Sequence, residues 1–211
     1  MSVFIAFEGI EGCGKTTQVG KAADYLTKRG IPFLCTVEPG GTGVGEELRN
    51  ILLNKVSLRI HQMTELFLFA ADRIQHVEEV ILPALRSGTV VLCDRFADAT
   101  VAYQGYGREL DIDVVRAVNR WASGSATPDM TILIDLPVEV GLERAKNRSV
   151  RLETPDDRFE RERVEFHRRV RAGYLRLAGE EPDRFRLIDG TRGIDAIHEE
   201  IRGHIARLLA R

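Results

Sequence analysis

The residues best suited to chemistry stand near the start of the chain, in Gly9-Ile10-Glu11-Gly12-Cys13-Gly14-Lys15-Thr16, with Thr17 directly behind them. The string fits G-x-x-x-x-G-K-[ST], in which each fixed position has a physical task. Glycines let the backbone wrap so that successive N–H groups point inward at phosphate oxygens, and a helix opening from the loop adds its positive N-terminus. Lys15 supplies a point charge for the β- and γ-phosphates. Thr16 offers a hydroxyl to Mg²⁺, an ion that takes oxygen ligands and keeps most of its waters. A nucleoside triphosphate site over residues 9–17 is the expectation. Cys13 lies within reach of a helix N-terminus that could lower a thiol pKa, but it is read as a small space-filling residue with no chemistry of its own.

A second constellation is Asp94-Arg95, which follows the apolar run from Thr89 to Cys93. Folds with a phosphate loop put an acidic Mg²⁺ ligand at this place; a turn or N-cap aspartate is the alternative. The adjacent Arg95 adds a guanidinium able to fork onto a phosphate. His61, His76, His167, His198 and His204 fall in helical stretches without a shared motif and are read as surface residues rather than catalysts.

These groups need a scaffold. The continuous apolar run Val3 to Phe7 is too short for a helix and suits a strand buried on both faces. Similar runs occur at 32–37, 89–93, 130–136 and 185–188. Helical periodicity covers 16–29, 62–86, 112–123, 138–147, 156–177 and 194–209. Strands alternating with helices predict a doubly wound α/β fold, a five-stranded parallel sheet flanked by helices. With 44% hydrophobic and 29% charged residues, the 211 residues are expected to form a single domain.

Between Glu143 and Arg176 eleven Lys or Arg stand against seven Asp or Glu. The middle of this stretch, about 147–157, has a proline and breaks the helical period, which predicts an Arg-rich lid loop; the helical remainder reads as a charged, solvated face. Elsewhere the charge is balanced, at a net −2, so no overall positive field exists for nucleic acid. No apolar stretch is long enough to span a bilayer, no export signal is evident, and three widely spaced cysteines fit a reducing compartment, so the expected address is the cytoplasm.

A phosphate loop leaves several classes open. Guanine-specific switches use N-K-x-D, and Asn54-Lys55-Val56-Ser57 lacks the acid. The size suits a nucleotide site, an acceptor pocket and a lid, which favours small-molecule phosphoryl transfer. If the acceptor is a phosphate monoester, its oxygen is already ionised near neutral pH, because the second pKa is about 6, and no general base is required. A kinase of neutral deoxynucleosides, which needs such a base, and a regulator that binds ATP without transfer remain open alternatives.

Taken together, Phe7-Glu8-Gly9 through Thr17, Glu38-Pro39-Gly40-Gly41-Thr42, Leu68-Phe69-Ala70-Ala71-Asp72-Arg73, Asp94-Arg95-Phe96 with Ala102-Tyr103-Gln104-Gly105, and Asp157-Arg158-Phe159 resemble bacterial thymidylate kinase nearly end to end. The resemblance implies a P-loop nucleoside monophosphate kinase fold, ATP and Mg²⁺ as donor and metal, dTMP as acceptor, and a homodimer. It implies that Phe69 stacks on thymine, Arg73 reaches its carbonyl edge, Thr100 and Gln104 line the base pocket, and Tyr103 packs near the ribose. It further implies that Glu11 holds the sugar 3′-hydroxyl, Glu38 belongs to an acceptor-side loop, and Arg95 grips the acceptor phosphate. Thr16 and Asp94 would hold the metal, while Arg144 and Arg192 would flank adenine. An acidic residue in the loop resembles the members whose catalytic arginine comes from the lid, here Arg148, Arg151 or Arg158. Val37, where Arg is usual, and Ala99, where Ser is common, depart from the pattern.

Overall fold

The computed structural model describes residues 2–54, 58–152 and 158–210. Among them, strands β1 (Val3–Glu8), β2 (Phe33–Val37), β3 (Val90–Asp94), β4 (Met130–Asp135) and β5 (Phe185–Asp189) form one sheet in the order β2-β3-β1-β4-β5. Every pairing is parallel. Alternation along the strands divides the core. Val3, Ile5 and Phe7 enter one cluster with Val90 and Leu92, whereas Phe4 and Ala6 enter another with Val91 and Cys93. A strand apolar at every position is therefore what two covered faces require. The register sets Phe7 beside Asp94, which brings the ends of β1 and β3 together at the carboxyl edge, where α/β sheets of this topology bind ligands.

Helices α1 (Lys15–Lys28), α2 (Gly43–Arg49), α3 (Gln62–His76), α4 (Leu82–Arg86), α5 (Ala97–Thr100), α6 (Ile112–Ser123), α7 (Val138–Leu152), α8 (Val164–Glu180) and α9 (Ile194–Leu209) flank the sheet. The stretch expected as one helix over 62–86 passes from α3 to α4 through a π-helical turn, Val77–Ile81. Two further π-helical turns, Asn50–Asn54 and Val101–Gly107, follow α2 and α5.

Two boundaries differ from expectation. Helix α7 runs on to Leu152 rather than ending at Asn147, since no breaker stands before Pro155. Helix α8 starts at Val164 rather than at 156. Ahead of it the backbone N–H of Arg158 donates outward to the Leu53 carbonyl, 3.1 Å away, instead of entering a helical turn. Residues 153–157, the C-terminal half of the expected lid at about 147–157, lie outside the described residues.

Candidate active site

The phosphate loop leaves β1 and enters α1. Gly12 adopts φ 68°, and a Cβ there would run into the carbonyl oxygen of Gly141 on α7, so both conformation and space demand glycine. Lys15 is buried, its ammonium donating to the carbonyls of Gly9 (3.1 Å) and Ile10 (3.0 Å) and contacting Cys13 Sγ at 3.5 Å. Ile10 and Glu11 are buried with it, while Gly14, Thr16 and Thr17 are exposed. The Thr16 hydroxyl donates to Asp94 Oδ2 at 2.6 Å. A hydroxyl and a carboxylate this close can share one coordination sphere, so the donor set fits the oxygen-seeking Mg²⁺.

Arg95 carries a left-handed backbone, φ 71°, a costly state for a side-chain-bearing residue that marks functional sites. Its guanidinium donates to the Gly9 carbonyl (3.0 Å), the hydroxyls of Tyr174 (3.1 Å) and Tyr103 (3.0 Å), and Glu11 Oε1 (3.2 Å). Burial works against a charge on Glu11. The hydrogen bond from His167 and the charges of Arg95 and Lys15 outweigh it and hold the carboxyl down at about 2. Glu8 goes the other way: burial, and then the charge of Asp98, push it up to about 7 despite Arg95, the Tyr174 hydroxyl and the Phe96 N–H. The two glutamates on either side of Gly9 thus shift in opposite directions because only Glu11 has cations enough to offset its desolvation.

Beside the loop lies a cavity of about 530 Å³, bounded by Lys15, Thr16, Asp94 and Arg95 at one end and by Phe69, Arg73, Thr100, Tyr103 and Gln104 at the other. Arg73 is fully buried, donating to Asn119 Oδ1 (2.6 Å), Thr100 Oγ1 (2.8 Å) and Glu38 Oε1. Glu38, joined to the following Pro39 by a cis bond, is thereby tied to helix α3. The Phe69 ring lies 6.1 Å from that of Phe159, and Gln104 donates to buried Glu65 at 2.9 Å. Val37 and Ala99, the two departures, both line this cavity.

The arginines of the lid region differ in setting. Arg148 lines the cavity, half exposed and paired with Glu160 at 2.5 Å. Arg158 is turned elsewhere, donating to the Leu52 carbonyl at 2.8 Å and pairing with Glu65 at 2.5 Å, with its guanidinium over the Phe159 ring. The side chain of Arg151 lies outside the described residues. Arg144 donates to the Gly190 carbonyl at 3.1 Å, which brings it to the loop bearing Arg192, itself paired with Glu200.

A sequence model of the thymidylate kinase family matches residues 7–201. The thymidylate kinase of Geobacter sulfurreducens is 53% identical, across 93% of this chain and 92% of its own length. That of Desulfovibrio desulfuricans is 49% identical across 99% and 97%. The chain belongs to the thymidylate kinase family. The crystal structure of the thymidylate kinase of Ehrlichia chaffeensis superposes with a TM-score of 0.77 at 32% identity, covering 97% of this chain and 98% of the other. Family membership carries the reaction, ATP-dependent phosphorylation of dTMP to dTDP.

For this family member the sequence reading of the histidines needs correction: His76 and His167 are wholly buried. His76 contacts Glu38 and Thr36, and His167 Nδ1 lies 3.2 Å from Glu11 Oε2. Tyr174, seven residues beyond His167 on α8, donates to Glu8 at 2.7 Å. The signal available was a polar pair recurring on an otherwise apolar helix face that includes Phe166, Val170 and Leu177. Arg49, at the cavity wall and donating to the Pro39 carbonyl at 2.6 Å, also escaped sequence reasoning. Among the described residues no helix is long and apolar enough to cross a membrane.

Proposed function

We propose that the chain binds MgATP on its phosphate loop and dTMP in the adjoining cavity, and transfers the γ-phosphoryl to give dTDP and ADP for dTTP synthesis. The observation carrying this reading is a single cavity that reaches from Lys15 and Thr16 to Phe69 and Arg73. A donor phosphate and an acceptor base can therefore be held with their phosphates meeting near Arg95. In this division of labour Phe69 stacks on thymine and Arg73, already ordered by Glu38 and Thr100, faces its polar edge. Tyr103, Thr100 and Gln104 enclose sugar and base, while Glu11 meets the 3′-hydroxyl. Thr16 and Asp94 would hold Mg²⁺, which when bound neutralises charge on the β- and γ-oxygens. Arg144 and Arg192 bound the adenine. The whole of 1–211 acts as one P-loop kinase domain, with a lid about 147–157 from which Arg148 or Arg158 completes the site.

The chain acts in the cytoplasm, in keeping with free Cys13, Cys35 and Cys93. It works as a homodimer. Phe67 and Ile74 leave one side of α3 exposed by 56% and 51%, and Trp121 on the neighbouring α6 is 87% exposed, an apolar display that favours a protein partner. Sedimentation at micromolar concentration should give twice the chain mass; a species of single-chain mass would contradict the dimer.

The function itself is tested by offering MgATP with a panel of nucleosides and monophosphates and identifying products. dTMP should have the highest kcat/KM. dUMP should fall below it by roughly 10- to 200-fold, since one methyl group in an apolar pocket is worth about 1–3 kcal/mol. Phosphorylation of thymidine in preference to dTMP, or ATP left intact with every acceptor, would reject the reading.

A further inference from the structure

Helix α8 follows the lid and sends two polar side chains, His167 and Tyr174, to the two glutamates on either side of Gly9. Tyr174 reaches Glu8, which sits beneath the loop, while His167 reaches Glu11, which lines the cavity. Glu11 is an unusually crowded carboxylate. Oε1 accepts from the Tyr103 hydroxyl at 2.5 Å and from Arg95 at 3.2 Å, and both donors also belong to the cavity wall. Oε2 faces His167 Nδ1 at 3.2 Å. A ligand that engages Tyr103 and Arg95 draws on the Oε1 side, so the His167 contact is the one that does not compete with substrate.

We propose that His167 is the positioning residue for Glu11: its Nδ1–H holds Oε2 and so sets the plane in which the carboxylate meets the hydroxyl of the acceptor sugar. This rests on the reading of Glu11 as the group that meets that hydroxyl. Three observations favour a positioning role over packing. His167 is 0% exposed and does not itself line the cavity, whereas its hydrogen-bond partner Glu11 does. Its other ring nitrogen, Nε2, has no hydrogen-bonding partner among the described residues, so the polar character of the ring serves the glutamate alone. The edge of the ring meets the Phe166 ring at 5.4 Å, an apolar neighbour that a phenylalanine at 167 would satisfy equally well. A histidine is needed there only for the bond to Glu11.

The test compares dTMP with 3′-deoxy-dTMP, an acceptor without the hydroxyl, in His167→Phe, His167→Leu, His167→Asn and Glu11→Gln. Asparagine can place its Nδ2 where Nδ1 stood and should rescue. In the Phe and Leu variants kcat/KM for dTMP should fall roughly tenfold to hundredfold, the range for losing a hydrogen bond to a charged group, with 3′-deoxy-dTMP and KM for ATP changed less than about threefold. Two apolar replacements keep the comparison available if one does not fold. An equal loss on both acceptors, no loss at all, or an asparagine variant as impaired as phenylalanine overturns the proposal. If Glu11→Gln discriminates between the acceptors and the His167 variants do not, only the proposal falls. If Glu11→Gln does not discriminate, the reading of Glu11 falls with it.

Discussion

Replacing Arg95 with alanine should lower kcat/KM for dTMP by roughly a thousandfold, because truncating one partner of a desolvated, hydrogen-bonded charge pair costs binding about 2–5 kcal/mol and each 1.36 kcal/mol is a factor of ten. The affinity for ATP, measured by calorimetry, should change less than about threefold, since the loop N–H groups and Lys15 stay in place. The guanidinium has four partners among the described residues, of which Glu11 is the anion. A dianionic acceptor phosphate outcompetes the two hydroxyls and the carbonyl for a forked donor, and the left-handed backbone keeps the fork aimed between β1 and β3. Arg95→Lys retains the charge but not the fork. It should recover only part of the loss, which separates geometry from net charge. Should alanine leave kcat/KM within about tenfold of the parent, or act on ATP rather than dTMP, Arg95 does not hold the acceptor phosphate.

Arg148→Ala is expected to reduce kcat by roughly a thousandfold, at the lower end of what an arginine directed at a transferring phosphoryl group supplies, with KM for dTMP nearly unchanged. The choice between the two lid arginines with described side chains follows from what each must leave. Arg148 is half exposed, lines the cavity, and among the described residues its tie is one ion pair, to a largely buried Glu160 side chain, so it has a single partner to leave for phosphate. Arg158 would have to leave a buried carboxylate, a carbonyl and an aromatic face together. Pre-steady-state measurement of dTDP formation isolates the chemical step from product release. A parental rate in that measurement would remove Arg148 from the mechanism.

Much of this architecture was legible because a few local rules coincide. A both-face apolar strand, a glycine-rich loop and a helix start occur in order over residues 3–17, so the phosphate loop could be read without any partner from elsewhere in the chain. Asp94 and Arg95 were legible for the same reason, as a charged pair closing an apolar strand. The region 97–107 was not. Its Gly105 and Gly107 lie within a π-helical turn, and a Cβ would meet Ile112 at the first and Phe166 and Val170 at the second. The close approach is made by α6 at Gly105 and by α8 at Gly107, contacts between distant segments that leave no local signature. His167 was misread because one buried polar residue in an apolar stripe looks like any exposed histidine until its partner, 156 residues away in sequence, is known. The start of α8 was misplaced because Arg158 spends its N–H on a distant carbonyl, a tertiary contact without local signature.

The ammonium of Lys15 rests on main-chain oxygens of its own loop. Its hydration shell was therefore surrendered when the polypeptide collapsed, not when a triphosphate arrives. Nucleotide entry then amounts to an exchange of neutral acceptors for anionic ones around a cation that is already dry. The electrostatic gain of that exchange goes into binding undiminished by the dehydration that a solvent-facing lysine would still have ahead of it.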